Sequence, residues 1–149
     1  MPAQPPVGSP QISSYLAYTD PRAALEWLQK AFGFKLRVLV EDGAGGIAHC
    51  ELEYGSGVIG IGAGSPLGKS PRALGGAYTQ SLYVFVDDID AHYAQAKVAG
   101  ARITRELENK HYGDRTYGCE DLEGHPWYFG HRFDQEAWDR SISEAHKQA

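Results

Sequence analysis

The chain of 149 residues carries 14 basic and 19 acidic side chains, a formal charge of −5 with its histidines neutral. That length allows one domain, or two small modules fused around one core, and excludes a large multidomain machine. With 42% hydrophobic and 22% charged residues the composition is that of a folded globular protein, and the acidic balance argues against a nucleic-acid backbone binder, which needs a basic face.

Residues 1–11 are rich in proline and read as a flexible leader, with neither the basic nor the apolar region of a secretory signal. No apolar run approaches the ~20 residues of a membrane helix, so a cytoplasmic location is expected. Cys50 and Cys119 are too few for a disulfide framework and read as buried thiols. Residues 12–18 (ISSYLAY) have strand content. Asp20-Pro21 supplies an N-cap and a proline for the first helical position, and Leu25, Leu28 and Phe32 make one apolar stripe closed by Gly33. Strands are predicted at 34–41, 47–54 and 58–62, separated by glycine turns.

The same order then recurs. A strand at 83–86 precedes a helix capped by Asp88 or Asp90 and ended by Gly100, and strands follow at 101–107, 115–121 and 125–131. An offset of about 68 residues carries Ser13 onto Ser81, Tyr15 onto Tyr83 and Gly62 onto Gly130. The predicted organisation is a first module over 12–62, a Gly/Pro/Ser-rich linker over 63–79, a second module over 80–132, and a tail over 133–149. Trp138 and Ile142 give that tail a short amphipathic helix.

A tandem βαβββ repeat with AFGF closing the first helix, HCELEYG in the third strand, YVFVDDIDAHY opening the second module and YGDRTYGCEDLEGHPWYFG closing it resembles the vicinal oxygen chelate superfamily, more closely its glyoxalase/bleomycin-resistance branch. The resemblance implies an α+β fold in which both modules curl into an incomplete barrel with helices outside and a ligand cleft inside. It also implies pairing of two copies as a homodimer. Family enzymes hold a divalent metal on the first and last strands of each module, places that map here to Ser13, Gly60, Ser81 and Tyr128. None is a usual ligand for Zn, Ni or Fe, so no metal and no cofactor is expected, and whether the chain is an enzyme stays open.

What remains is a cleft. Alternation along 47–54 puts Ile47, His49, Glu51 and Glu53 on one face and Ala48, Cys50, Leu52 and Tyr54 on the other, the second face packing on the helices. The repeat places Tyr117 opposite His49 and Arg115 opposite Ile47. Gly60 and Gly62 leave volume in the cleft, and Tyr15, Tyr83 and Tyr128 line it. Trp127 and Phe129 alternate with Tyr128 and belong to the core.

His49-x-Glu51 reads as a polar strand face, a ligand-contacting pair, or part of a metal site completed by His111 or His125. Arg115 is either an anion anchor or an ion-pair partner of Asp114, Glu120 or Asp121. His92, His131 and His146 read as exposed. Three functions follow from these residues. The first is metal-independent binding of a small cationic or aromatic molecule; the second is a lyase- or dioxygenase-type enzyme with a displaced metal or acid–base site around His49 and Glu51. The third is a protein-partner module using the C-terminal helix.

Overall fold

A computed structural model describes residues 2–148. The elements are β1 (Ser14–Tyr18), α1 (Pro21–Phe32), β2 (Lys35–Glu41), β3 (Ile47–Tyr54), β4 (Gly57–Ala63), β5 (Leu82–Phe85), α2 (Ile89–Val98), β6 (Arg102–Asn109), β7 (Asp114–Glu120), β8 (Pro126–Arg132) and α3 (Gln135–Lys147). They form an α+β fold of two open four-stranded sheets, ordered β1-β4-β3-β2 and β5-β8-β7-β6, neither closed into a barrel. Within each sheet the first strand pairs parallel with the fourth, and the other pairings are antiparallel.

The chain divides into two compact units, residues 1–78 with 122–124 and residues 79–121 with 125–149. In the first, Asp20 caps α1 by accepting from the Ala23 N–H at 3.0 Å, and Gly33 takes the left-handed conformation (φ 78°) that ends the helix. Leu25, Leu28, Ala31 and Phe32 on the buried stripe meet Leu16, Tyr18, Cys50, Leu52, Ile59 and Ile61 from one face of the sheet. Each fully buried leucine or phenylalanine contributes roughly 1.5–3 kcal/mol, so this face holds the unit together. The segment expected to be a plain linker contains a turn of 3-10 helix, Pro71–Leu74, with Ser70 and Pro71 buried. Its backbone has a reason to be ordered: the Arg72 N–H donates to the Glu123 carbonyl at 3.0 Å.

Glu123 itself is buried, and its carboxylate accepts from the backbone N–H groups of Thr19 at 2.7 Å and Asp20 at 2.9 Å. Burial pushes its pKa up, but those N–H groups, with the hydroxyls of Ser70 and Thr19, outweigh burial and leave it below the ordinary value.

In the second unit Asp88, not Asp90, caps α2, accepting from the Ala91 N–H at 3.1 Å. Ile89, His92 and Ala96 face a sheet side built from Val86, Tyr117, Cys119, Trp127 and Phe129. His92 is therefore buried and not exposed as expected: its Nδ1 shares a 2.7 Å hydrogen bond with the Tyr117 hydroxyl, and its ring lies 4.4 Å from that of Phe129. His131 is also drawn in, Nδ1 meeting the Val86 carbonyl at 3.1 Å. Asp134 caps α3, and the indole of Trp138 lies against the Arg132 guanidinium at 3.8 Å.

One register difference separates the modules. Leu52 on β3 pairs with Ile59 on β4, seven positions on, whereas Cys119 on β7 pairs with Trp127 on β8, eight positions on. The second hairpin is one residue longer, so the β3-to-β7 offset is one less than the offset relating β1 to β5 and β4 to β8. A slip of one residue exchanges the two faces of a strand. Cys50, not His49, is the counterpart of Tyr117, and both are buried against a helix.

Candidate functional site

Each sheet turns one face away from the helix that packs on it, α1 in the first unit and α2 in the second. In the first unit that face carries Tyr15 on β1, Gly60 and Gly62 on β4, and His49 and Glu51 on β3. The apolar positions of these strands are spent on the α1 side, so alternation forces the polar set outward. His49 Nε2 and Glu51 Oε1 are 3.0 Å apart, and Arg37 donates from Nε to the other Glu51 oxygen at 2.9 Å. Arg37 reaches this face from a β2 irregularity between Leu36 and Val38, and also donates to the Gly8 carbonyl of the leader. The His49 hydrogen bond, followed by Arg37, holds the Glu51 carboxyl below its ordinary value of 4.5.

The Tyr15 ring is 64% exposed and lies over Gly60; a Cβ on that glycine would sit 2.3 Å from Tyr15 Cδ1. The space expected at Gly60 is thus filled by a neighbour's ring and not left for a ligand. At Gly62 nothing stands within 4 Å of the Cβ position, and this glycine lines a 370 Å³ hollow with Tyr15, Ala17, His49 and the turn at Ser65 and Gly68.

In the second unit the face turned away from α2 carries Tyr83 and Phe85 on β5, Tyr128, Gly130 and Arg132 on β8, and Asp114, Thr116 and Gly118 on β7, with Trp138 of α3 against Arg132. Tyr128 is half-buried beneath the Arg105 guanidinium, 5.6 Å from its ring, and flanks Gly118. Asp114 is buried and takes Arg132 Nε at 2.8 Å on Oδ1 and Nη2 at 3.2 Å on Oδ2, a bidentate pair. Burial first, and then Asp114, push the Tyr83 phenol up to about 12. With Tyr112 and Trp138 of α3, Tyr83, Phe85, Asp114 and Arg132 line an open 260 Å³ hollow.

Two predicted site residues stand elsewhere. Tyr117 is buried on the α2 side, its ring stacked on Phe129 at 5.2 Å. Arg115, also turned to the helix side by the register difference, pairs with Asp90 of α2 at 3.0 Å and not with Asp114, Glu120 or Asp121. Ser13 and Ser81 lie exposed just before β1 and β5. Tyr15, His49 and Glu51 come together in the first unit, and Tyr83 and Tyr128 are register partners in the second. The sequence does not mark Arg37, Phe85, Tyr112 or Arg132 as cleft residues, and it suggests other roles for Asp114, an ion-pair partner of Arg115, and Trp138, part of an amphipathic tail helix. The signal for Arg132 was present: it continues the alternation of Tyr128 and Gly130 on β8. Among the described residues no group of three or more His, Cys, Asp or Glu converges as a metal-binding set.

Residues 10–129 match the family model of the Glyoxalase/Bleomycin resistance protein/Dioxygenase superfamily. The crystal structure of TioX from Micromonospora is similar at 33% identity and a TM-score of 0.67, over 84% of this chain and 100% of TioX. A Mycobacterium bovis protein is 30% identical over 126 residues, 81% of this chain and 82% of its own. TnmS3, an antibiotic binding protein from Streptomyces, shares the fold at a TM-score of 0.62 and 15% identity, over 80% of this chain and 93% of TnmS3.

Proposed function

Because this chain belongs to the Glyoxalase/Bleomycin resistance protein/Dioxygenase superfamily, we propose that it is a binding protein that takes up a small, partly aromatic molecule on the sheet faces turned away from α1 and α2, with no metal ion. The observation that carries this reading is the exposure of aromatic rings on those faces: Tyr15 is 64%, Tyr83 47% and Phe85 54% exposed. Rings left in water beside glycine-thinned strands offer stacking surface that is idle without a partner. The antibiotic binding of TnmS3 is consistent with such a role on this fold.

A divalent metal does not fit the four places where family enzymes hold one. Ser13 and Ser81 offer exposed neutral hydroxyls, Gly60 offers no side chain beneath the Tyr15 ring, and Tyr128 lies under a guanidinium whose charge opposes a second cation. Binding in the cytoplasm by a homodimer completes the reading. The test is titration of the purified protein with a panel of aromatic antibiotics and metabolites, followed by calorimetry and thermal unfolding. Saturable stoichiometric binding that weakens in Tyr15→Ala and Tyr83→Ala supports it; no heat and no stabilisation across the panel removes it.

A second reading is acid–base chemistry at His49, favoured by one observation, the 3.0 Å approach of Glu51 to its Nε2. Glu51 is itself neutralised by Arg37, which suits an orienting group better than a base. Turnover of any bound compound that is lost in His49→Gln decides for this reading over simple binding.

A further inference from the structure

The hollow in the second unit has a donor with nothing to hold. Arg132 spends Nε and Nη2 on Asp114, and its face on the Trp138 indole at 3.8 Å. Its Nη1 makes no hydrogen bond to another described residue and faces solvent. The guanidinium is thus locked in plane and position by three contacts while one of its nitrogens stays available, a preorganised donor. Around it stand Phe85, whose ring centroid is 5.4 Å from the guanidinium carbon, Tyr83 against Phe85 at 5.1 Å, and Tyr112 edge-on to Trp138 at 5.9 Å. The 260 Å³ of this open hollow falls below the usual ~300–1,000 Å³ of sites for whole drug-sized ligands. It fits one planar ring system.

From this geometry we infer that the hollow bounded by Tyr83, Phe85, Tyr112 and Trp138 is a subsite for an uncharged planar aryl carbonyl, its ring against Phe85 and Tyr83 and its carbonyl oxygen accepting from Arg132 Nη1. The inference rests on the small-molecule reading above and names which part of a ligand goes where. Charge selects the class. Asp114 already neutralises Arg132 within the pair, so a carboxylate gains little net attraction and is placed close to a buried Asp114 carboxylate. An ammonium group meets the guanidinium charge first, despite the chain's overall charge of −5: the nearer carboxylate, Asp114, is already paired with Arg132, and Asp139, which also acts on Arg132, takes Gln135 Nε2 on Oδ1 at 2.8 Å. A neutral carbonyl accepts a charge-assisted hydrogen bond without bringing a charge out of water. Phe85 and Tyr83 are about half exposed, so their rings have surface to give.

The experiment compares 2-naphthamide, 2-naphthoate and 2-naphthylmethylammonium by calorimetry and by two-dimensional NMR of the full chain. The Trp138 indole N–H is identified as the signal missing from Trp138→Phe. Naphthamide is expected to bind at least tenfold tighter than either charged probe and to shift the Trp138 signal. Its affinity falls at least tenfold in Trp138→Leu, which leaves the Arg132–Asp114 pair in place, and in Arg132→Lys, which keeps the charge but loses the plane. Equal or tighter binding of naphthoate or the ammonium probe overturns the inference, as does naphthamide binding that leaves Trp138 unshifted. If a probe binds but perturbs Tyr15 and His49 instead, the subsite falls while the small-molecule reading stands. If none of the three probes binds, the subsite falls, and the wider reading is then decided by the antibiotic panel.

Discussion

The phenol ring of Tyr15 occupies the space that a side chain at Gly60 would fill, its Cδ1 and Cε1 only 2.3 and 2.4 Å from where that Cβ would stand. The two residues are direct register partners on parallel strands, so the contact is built into the β1–β4 pairing. The glycine sets the attitude of the ring.

Gly60→Ala is therefore expected to lift Tyr15 off the sheet. Because the ring is mostly exposed and can swing away, the cost is near the low end for overpacking, about 1 kcal/mol. Gly62→Ala meets open space and is expected to stay within about 0.5 kcal/mol of the parent. Urea unfolding of both variants, with NMR shifts of the Tyr15 ring, checks the pair; equal costs at the two sites contradict the packing argument.

Stability is expected to fall on acidification through Glu51 and Glu123. Both carboxyls sit below the ordinary value of 4.5 in the folded protein. Their stabilisation is present above that value and is lost as pH falls through the lower folded one. Glu123, buried and fed by two backbone N–H groups, carries the larger share; Glu51 is partly exposed and screened. Glu123→Gln should be less stable at pH 7 and lose part of the acid limb below about pH 4.5, and Glu51→Gln should do the same more weakly. Unfolding free energies between pH 7 and 3 measure this, and parallel curves for all three proteins contradict it.

Tyr117→Phe removes the hydroxyl that shares a 2.7 Å hydrogen bond with buried His92 Nδ1. Loss of a buried partner costs about 1–3 kcal/mol, read as a lower urea midpoint at unchanged slope. No effect on aromatic probe binding is expected, since this pair lies between α2 and the sheet and not on the open sheet face.

Both cysteines should be inert in the native state. Burial, then Asp121 and Glu120, push the Cys119 thiol up to about 12, and burial with Glu51 raises that of Cys50. A thiol reagent at pH 8 is expected to modify neither until denaturant is added. Rapid native labelling of two thiols per chain contradicts the placement of these strands.

Most of the fold was legible because its signals are local. Asp20-Pro21 and Gly33 bracket α1, and the alternation in 47–54 separates Cys50 and Leu52 from His49 and Glu51, all from neighbours in sequence. The repeat offset also held for β1, β4, β5 and β8. It failed at β7, because hairpin length is a property of a pairing and does not show in either strand alone. Arg115 and Tyr117 were therefore assigned to the open face when both lie on the helix side. Gly60 failed differently: a missing side chain signals space, but only the fold shows that a tyrosine from a distant strand takes it. The Asp114–Arg132 pair went unread because its partners, one residue on each of two strands, meet only through register.

The extra residue in the β7–β8 hairpin has a consequence for how such a protein diversifies. One added codon turns a whole strand over, trading its inward residues for its outward ones, while the sheet order and the flanking helix keep their places. Two sheets of the same order can thus offer imidazole and carboxylate in one and hydroxyl, glycine and a buried acid in the other without any drift in architecture. Chemical novelty here is a matter of counting, one residue at a time, in a turn outside the strands whose faces it exchanges.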